Sequence, residues 1–427
     1  MPNENTNKDA ASAYTADPYP EFVFPETHPA RIAAQGFLHG LKVPDPTTAR
    51  VFEFGSAAGS NLISLATSLP DATFHVIDIT PQQVKKAQAA IKTHRLTNIT
   101  LDRADILEMD LSDQEGDAEY DYIIAHGMLS WVPDDVKDRM LELIGKHLAP
   151  NGIAYVSYNT LPGWSVNEAV ADIMQLAVDQ EGEGNAPLDR AKAAHGLMQR
   201  LFENAQGPHV DLVKFELDHI SKKHQTLVLH DELEGTNDPC YFLQFVEWAS
   251  EHGLKHFTDA TLPTFWPTAL LKEQRDILAS RGLSWLHMQQ YLDFVEWRRF
   301  RRSILCRADA AVSELPDLNQ LDGIAVKSQL RVIGNIAVAP GLEVKYRHIK
   351  LETDQPVVAI TDPLIQSFLK ELNATPDAFL SFTGTRDKAA ANGNPNHRED
   401  AAIERLKLWT MEAIALSWLD IELAPAS

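Results

Sequence analysis

The chain has 427 residues, 44% of them hydrophobic and 23% charged, enough for two or three domains and a large core. Sixty acids (60) outweigh 38 bases, and a net charge of −22 excludes a nucleic-acid backbone as partner, which needs a basic face. It leaves a solvated acidic surface, or a cationic substrate such as a lysine-bearing protein.

Met1 to Ala16 is polar and reads as a tail with no signal peptide, and no apolar run is long enough to span a bilayer. The two cysteines, Cys240 and Cys306, lack metal-ligand spacing and give no disulfide framework, so a reducing cytoplasm and no metal are expected. A short helix through Leu41 follows the run Phe24-Pro25-Glu26-Thr27-His28-Pro29. Strand–helix alternation then begins: strands at 50–54, 73–78, 98–103, 120–126 and 153–158, helices at 60–69, 81–94 and 134–148, and a turn at Asn151-Gly152. Thr80 caps the helix that Pro81 opens. Such alternation implies a parallel sheet with helices on both faces.

Residues 164–222 read as helices, interrupted at Glu181-Gly182-Glu183-Gly184. The α/β signal returns with Phe242, Phe245, Val246 and Ala249 at helical spacing, ended by Gly253. Strands at 254–259 and 301–307 close the sheet around a helical stretch at 267–297. From about 310 the composition is that of a separate small α+β domain, winged-helix-like in outline but without the basic stripe of a DNA binder. Its helices fall at Pro363 to Leu372 and Glu404 to Trp418, with a mobile loop at Gly384 to Asp400.

Chemistry concentrates at the strand ends. In Glu53-x-Gly55-x-Ala57-x-Gly59, backbone approaches a ligand closely and the next helix offers free N–H groups. Asp78 ends the second strand about twenty residues on, placed to accept from ribose hydroxyls. The pattern fits dinucleotides and S-adenosylmethionine alike, and an ordinary strand-to-helix turn would look similar. Asp105 and Ile106 follow the third strand, where a carboxylate would meet an adenine amine and the isoleucine would form an apolar wall. His126 and Gly127 end the fourth strand; His126 either contacts the ligand or caps the turn. At the tip of the fifth, Tyr158-Asn159-Thr160-Leu161-Pro162-Gly163-Trp164 offers a phenol, an amide and an indole. Aromatic walls suit a lysine side chain, while a Pro-Gly turn with buried aromatics is the plainer reading. The closing strand pair favours the methyltransferase arrangement over the dinucleotide one.

Taken together, these segments resemble class I S-adenosylmethionine-dependent methyltransferases carrying a methyltransferase regulatory domain, a group that includes rickettsial protein-lysine methyltransferases. The resemblance runs over residues 17 to 310 and rests also on His126 to Pro133, His230-Asp231-Glu232-Leu233-Glu234, Asp293-Phe294 and Arg298 to Arg302. It implies a Rossmann-like sheet with a helical insertion and a C-terminal α+β domain. The domains implied are a tail and cofactor-covering segment (1–45), the core's first part (46–159), a helical insertion as regulatory domain (160–238), core completion (239–309) and a C-terminal domain (310–427). It implies S-adenosylmethionine as cofactor and S-adenosylhomocysteine as product. Gly55 and Gly59 would cradle the methionine part, Asp78 the ribose, and Asp105 and Ile106 the adenine; Glu53, Ser56, Ala57, Asn61 and Ile79 would also bind the cofactor. His126 and Gly127 would lie beside the cofactor, and Tyr19 and His28 would close over it. Ala57 departs from the family's usual glycine. The run His126-Gly127-Met128-Leu129 is unlike the Asn-Pro-Pro-Tyr type of nucleobase-amine and glutamine methyltransferases.

In the catalytic reading, Tyr158 and Asn159 position a neutral lysine amine between Trp131 and Trp164, with no dedicated base evident. The expected partner is a basic protein substrate. A small-molecule O- or N-methyltransferase, a non-catalytic adaptor and, distantly, an NAD oxidoreductase are the rivals. Partner recognition, a lid or homodimer contacts are the roles left to the C-terminal domain.

Overall fold

The computed structural model describes residues 21–111, 119–180, 187–233, 236–260, 272–338, 341–350, 357–391, 399–417 and 419–424. Tyr19 and the break at Glu181 to Gly184 lie outside them. The main sheet is built from β1 (Arg50–Phe54), β2 (Thr73–Asp78), β3 (Ile99–Arg103), β4 (Tyr120–Ala125), β5 (Leu148–Asn159), β6 (Leu254–Asp259) and β7 (Phe300–Arg307). Their order is β3-β2-β1-β4-β5-β7-β6, with β1 to β5 parallel and β7 antiparallel to both neighbours.

Period-two alternation sorts the strand side chains between two cores. Val51 faces the helices Ser60–Ser68 and Pro81–His94 with Leu62, Leu65, Val84 and Ala87. Phe52 and Phe54 face Asp134–His147 and Phe242–Glu251 with Met140, Ile144, Phe245 and Ala249. β5 starts earlier than its sequence suggested: the Asn151-Gly152 turn is absorbed as a bulge, where pairing jumps between Tyr120 and Tyr122.

After β5 come four helices, Ser165–Gln180, Pro187–Phe202, Pro208–Ser221 and Gln225–Glu232, packed around Val170, Met174, Met198, Leu217 and Ile220. Lys272–Ala279 and Trp285–Glu296 separate β6 from β7. Arg301 on β7 is fully buried and donates twice to Asp293, at 2.8 Å each, and once to Asp259.

The C-terminal part adds β8 (Ile324–Ser328), β9 (Leu330–Val338), β10 (Gly341–His348), β11 (Val358–Ile360), β12 (Leu380–Ser381) and β13 (Leu419–Leu423). They form two antiparallel sheets, β11-β10-β9 and β12-β8-β13. One sequence expectation fails here: the segment from Gly384 begins inside a helix, Phe382–Ala391, not a loop. Phe382 and Ala389 fill the core, with the Phe382 and Phe368 ring centres 5.6 Å apart, and the polar residues are that helix's outer face.

The helix Pro29–Leu38 belongs to both halves. Ile32 and Ala33 join the core against the main sheet, while Ala34 and Leu38 join the C-terminal core. Arg31 adds an ion pair to Asp420 at 2.8 Å, and Phe37 packs so closely on Gly323 that a Cβ there would lie 2.5 Å from its ring.

Candidate active site

The carboxyl ends of β1, β2, β4 and β5 open into one cavity of about 620 Å³, a size that suits a small-molecule ligand. Its floor is the turn after β1. Gly55 has φ +69, and a Cβ on it would lie 2.6 Å from the Met128 sulfur, so backbone alone fits there. Ala57 has φ +46, a left-handed conformation that disfavours side chains, which accounts for glycine being usual at this position. Gly59, at φ +86, caps the helix Ser60–Ser68 and leaves 2.9 Å to the Ala87 Cβ; it shapes the turn without lining the cavity.

Asp78 secures the turn from β2. Its two oxygens accept from the Ala57 N–H at 2.9 Å and the Thr80 N–H at 2.8 Å, while burial raises its pKa against those bonds. Glu53 is buried beside it. One carboxylate oxygen accepts from Asn61 Nδ2 at 3.3 Å, and the other has no hydrogen-bond partner among the described residues. Burial lifts this carboxyl to about 7. Ser56, Asn61, Ile79, Asp105 and Ile106 also line the cavity, with Asp105 capping the Leu107 N–H at 3.0 Å.

His126 is locked against the wall. Its Nδ1 meets the Tyr155 hydroxyl at 2.8 Å, its ring lies 3.8 Å from that of Phe24, and burial with nearby Arg302 pushes its pKa down to about 3. Gly127 donates to Ser157 Oγ at 2.7 Å. Trp131, Asn159 and Trp164 line the far end. The Trp164 indole nitrogen is buried without a partner among the described residues, and Asn159 Nδ2 donates to Asn237 at 3.1 Å.

Two sequence assignments are corrected. Tyr158 does not reach the cavity: strand alternation turns it the other way, onto Phe245 at 4.3 Å between ring centres, with its hydroxyl 3.1 Å from Ser303 Oγ. His28 does not close over the site. Its Nδ1 caps the helix Pro29–Leu38 by accepting from the Ala30 N–H, and its Nε2 lies 3.0 Å from Ser68 Oγ.

Phe22 and Phe24 cover the cavity instead, and the Phe24 N–H donates to Asn61 Oδ1 at 2.9 Å. Sequence reasoning also assigned no role to His219, Lys223, Asp231, Arg299 or Phe300, all of which line the cavity. Asp231 and Arg299 fall in segments that carried the family resemblance. His219 fell near the end of the predicted helical stretch and Lys223 just past it, with nothing local to mark either.

The unpartnered Glu53 oxygen and the glycine turn fit the ammonium and carboxylate ends of an S-adenosylmethionine donor. The strand order, with β7 inserted antiparallel and the cavity at the strands' carboxyl ends, defines the class I methyltransferase architecture.

Comparison with known proteins agrees. Residues 52–154 match the family described as a methyltransferase domain, and residues 224–307 match a predicted methyltransferase regulatory domain. The regulatory match starts at the last helix of the inserted block and runs through β7. The protein RP028 of Rickettsia prowazekii is 32% identical over 252 residues, 59% of this chain and 98% of that one. RP789 of the same organism is 30% identical over 307 residues, 70% of this chain, and the match spans 53% of its length. The structure of PKMT2 from Rickettsia typhi in complex with AdoHcy superposes with a TM-score of 0.84 at 25% identity, covering 95% of this chain and 77% of that one. The chain belongs to the S-adenosylmethionine-dependent methyltransferases that carry a methyltransferase regulatory domain. No helix among the described residues is long and apolar enough to cross a membrane.

Proposed function

We propose that the chain transfers a methyl group from S-adenosylmethionine to the side-chain amine of a protein lysine, acting in a reducing cytoplasm. The observation that carries this reading is the continuity of one cavity. Glu53 and Asp78 line it together with Trp131, Trp164 and Asn159. The similarity to PKMT2 supports it.

In this reading Glu53 takes the donor's ammonium, the Gly55 turn its methionine backbone, Asp78 its ribose, and Asp105 with Ile106 its adenine. The donor supplies an electrophilic methyl group. The protein's part is alignment, which contributes several kcal/mol and up to about 7–11 in favourable cases. Burial between Trp131 and Trp164 disfavours an ammonium, so the acceptor reacts there as a neutral amine once its extra proton has left. Asn159 orients it, and Phe22 and Phe24 exclude water. A small-molecule acid is the second reading, favoured by the cationic side chains of Lys223 and Arg299 on the same wall.

The test is calorimetric binding of S-adenosylmethionine to wild type and Asp78→Ala, followed by mass spectrometry of lysine peptides after incubation with donor. Binding lost in the variant, with a mass increase on lysine abolished by Asn159→Ala, supports the reading. Donor binding with methyl groups only on carboxylic acids replaces it with the second.

A further inference from the structure

We propose that the His219 imidazole takes the proton from the acceptor nitrogen and hands it to bulk water, an assignment that rests on the amine reading above. Glu216, His219 and Lys223 recur at offsets of three and four, so they follow one face of the helix Pro208–Ser221 and its exit. The two outer members are held by other elements. Glu216 accepts from Arg299 at 2.7 Å and from Asn167 at 3.3 Å. Lys223 donates to Asp231 at 3.0 Å and to Glu232. His219, between them, lines the cavity and is open to solvent.

The other ionisable groups on the cavity wall are engaged. Glu21 pairs with Lys86, Asp78 and Asp105 hold backbone N–H groups, His126 is bonded to Tyr155, and Asp231 pairs with Lys223. Glu53 lies at the donor end. The His219 imidazole makes no hydrogen bond or ion pair with the described residues.

The charges facing His219 are Arg299 from the approach to β7, Lys222 and Lys223 at the helix exit, and Glu216 one turn back. Burial first, then Arg299 and Lys223, hold its pKa below the usual histidine value, with Glu216 opposing. The ring is therefore neutral at pH 7, with a lone pair to offer. One N–H bond of the acceptor's ammonium breaks and an imidazole N–H bond forms. The electron pair left on nitrogen makes the new N–C bond as the donor's S–C bond breaks, and the imidazolium releases its proton to water.

The test uses the full chain with S-adenosylmethionine and poly-L-lysine, following kcat/KM from pH 6 to pH 9. His219→Gln and His219→Ala are expected to lower kcat/KM by about a hundredfold, leave the donor KM unchanged, and in the alanine variant recover when imidazole is added. Wild-type values in both variants across that range overturn the assignment and leave the amine reading standing. A loss that imidazole does not restore makes His219 a structural residue and overturns it too. A wild-type enzyme that methylates no lysine removes the amine reading and this proposal together.

Discussion

Glu53 offers a sharp test, because its burial sets opposite demands on folding and on binding. Its carboxyl is lifted from 4.5 to about 7, so the folded protein without donor holds a proton there that the unfolded chain has lost. Such a group contributes its full stability below pH 4.5 and loses it as pH rises through 7, a total of roughly 3 kcal/mol for the shift. Binding a donor's ammonium requires the ionised form. About one site in eleven is ionised at pH 6, so donor affinity should fall about tenfold from its value at pH 8, with close to one proton released per donor bound. Calorimetry in buffers of differing ionisation enthalpy reads both quantities. Glu53→Gln should abolish the pH dependence and weaken binding by about 1.5–3 kcal/mol, the value of a hydrogen bond to a charged group. The same variant should unfold at higher denaturant concentration than wild type at pH 8. Wild-type affinity that stays flat from pH 6 to pH 8, or a variant that keeps the slope, refutes the placement of Glu53 opposite the ammonium.

Tyr158→Phe should keep near wild-type turnover and lose about 1 kcal/mol in denaturant titration, because it removes only the bond to Ser303. Gly55→Ala should lower stability by about 1–2 kcal/mol for the left-handed backbone, and push Met128 into the cavity so that calorimetry shows weakened donor binding. Arg301→Met takes the shared guanidinium from Asp259 and Asp293, leaving Asp293 with Arg298 and Asp259 with His256, and should destabilise by about 3–5 kcal/mol, read as an earlier urea midpoint.

The sheet was legible because its signal is local. Apolar runs, glycine turns and capped helices mark the main sheet's strand ends to within a residue or two except at the start of β5, and β1, β2 and β6 begin and end where the pattern says. Asp78, Asp105 and Asn159 were legible for the same reason, since a strand end in a parallel sheet faces the ligand crevice. Tyr158 misled because one step along a strand reverses a side chain's direction, and only the pairing with Arg301 and the packing on Phe245 fix that direction. His28 misled because one ring nitrogen caps its helix and the other meets Ser68 forty residues on, which sequence does not display. Phe22, Phe24, Lys223 and Arg299 reach the cavity across long sequence separations, through contacts such as Arg299 with Glu216, and nothing local announces such meetings.

The helix Pro29–Leu38 has a practical consequence for anyone dissecting this molecule. Because its opposite faces are covered by different cores, removing the C-terminal sheets would strip the cover from Ala34, Phe37 and Leu38 and leave Arg31 without its carboxylate. A truncated catalytic fragment would then carry an oily stripe and a stray charge next to the loop that frames the donor site. Acceptor screens run on such a fragment would report on aggregation as much as on specificity. The two halves should also melt in a single calorimetric transition, since neither can release that helix without exposing the other.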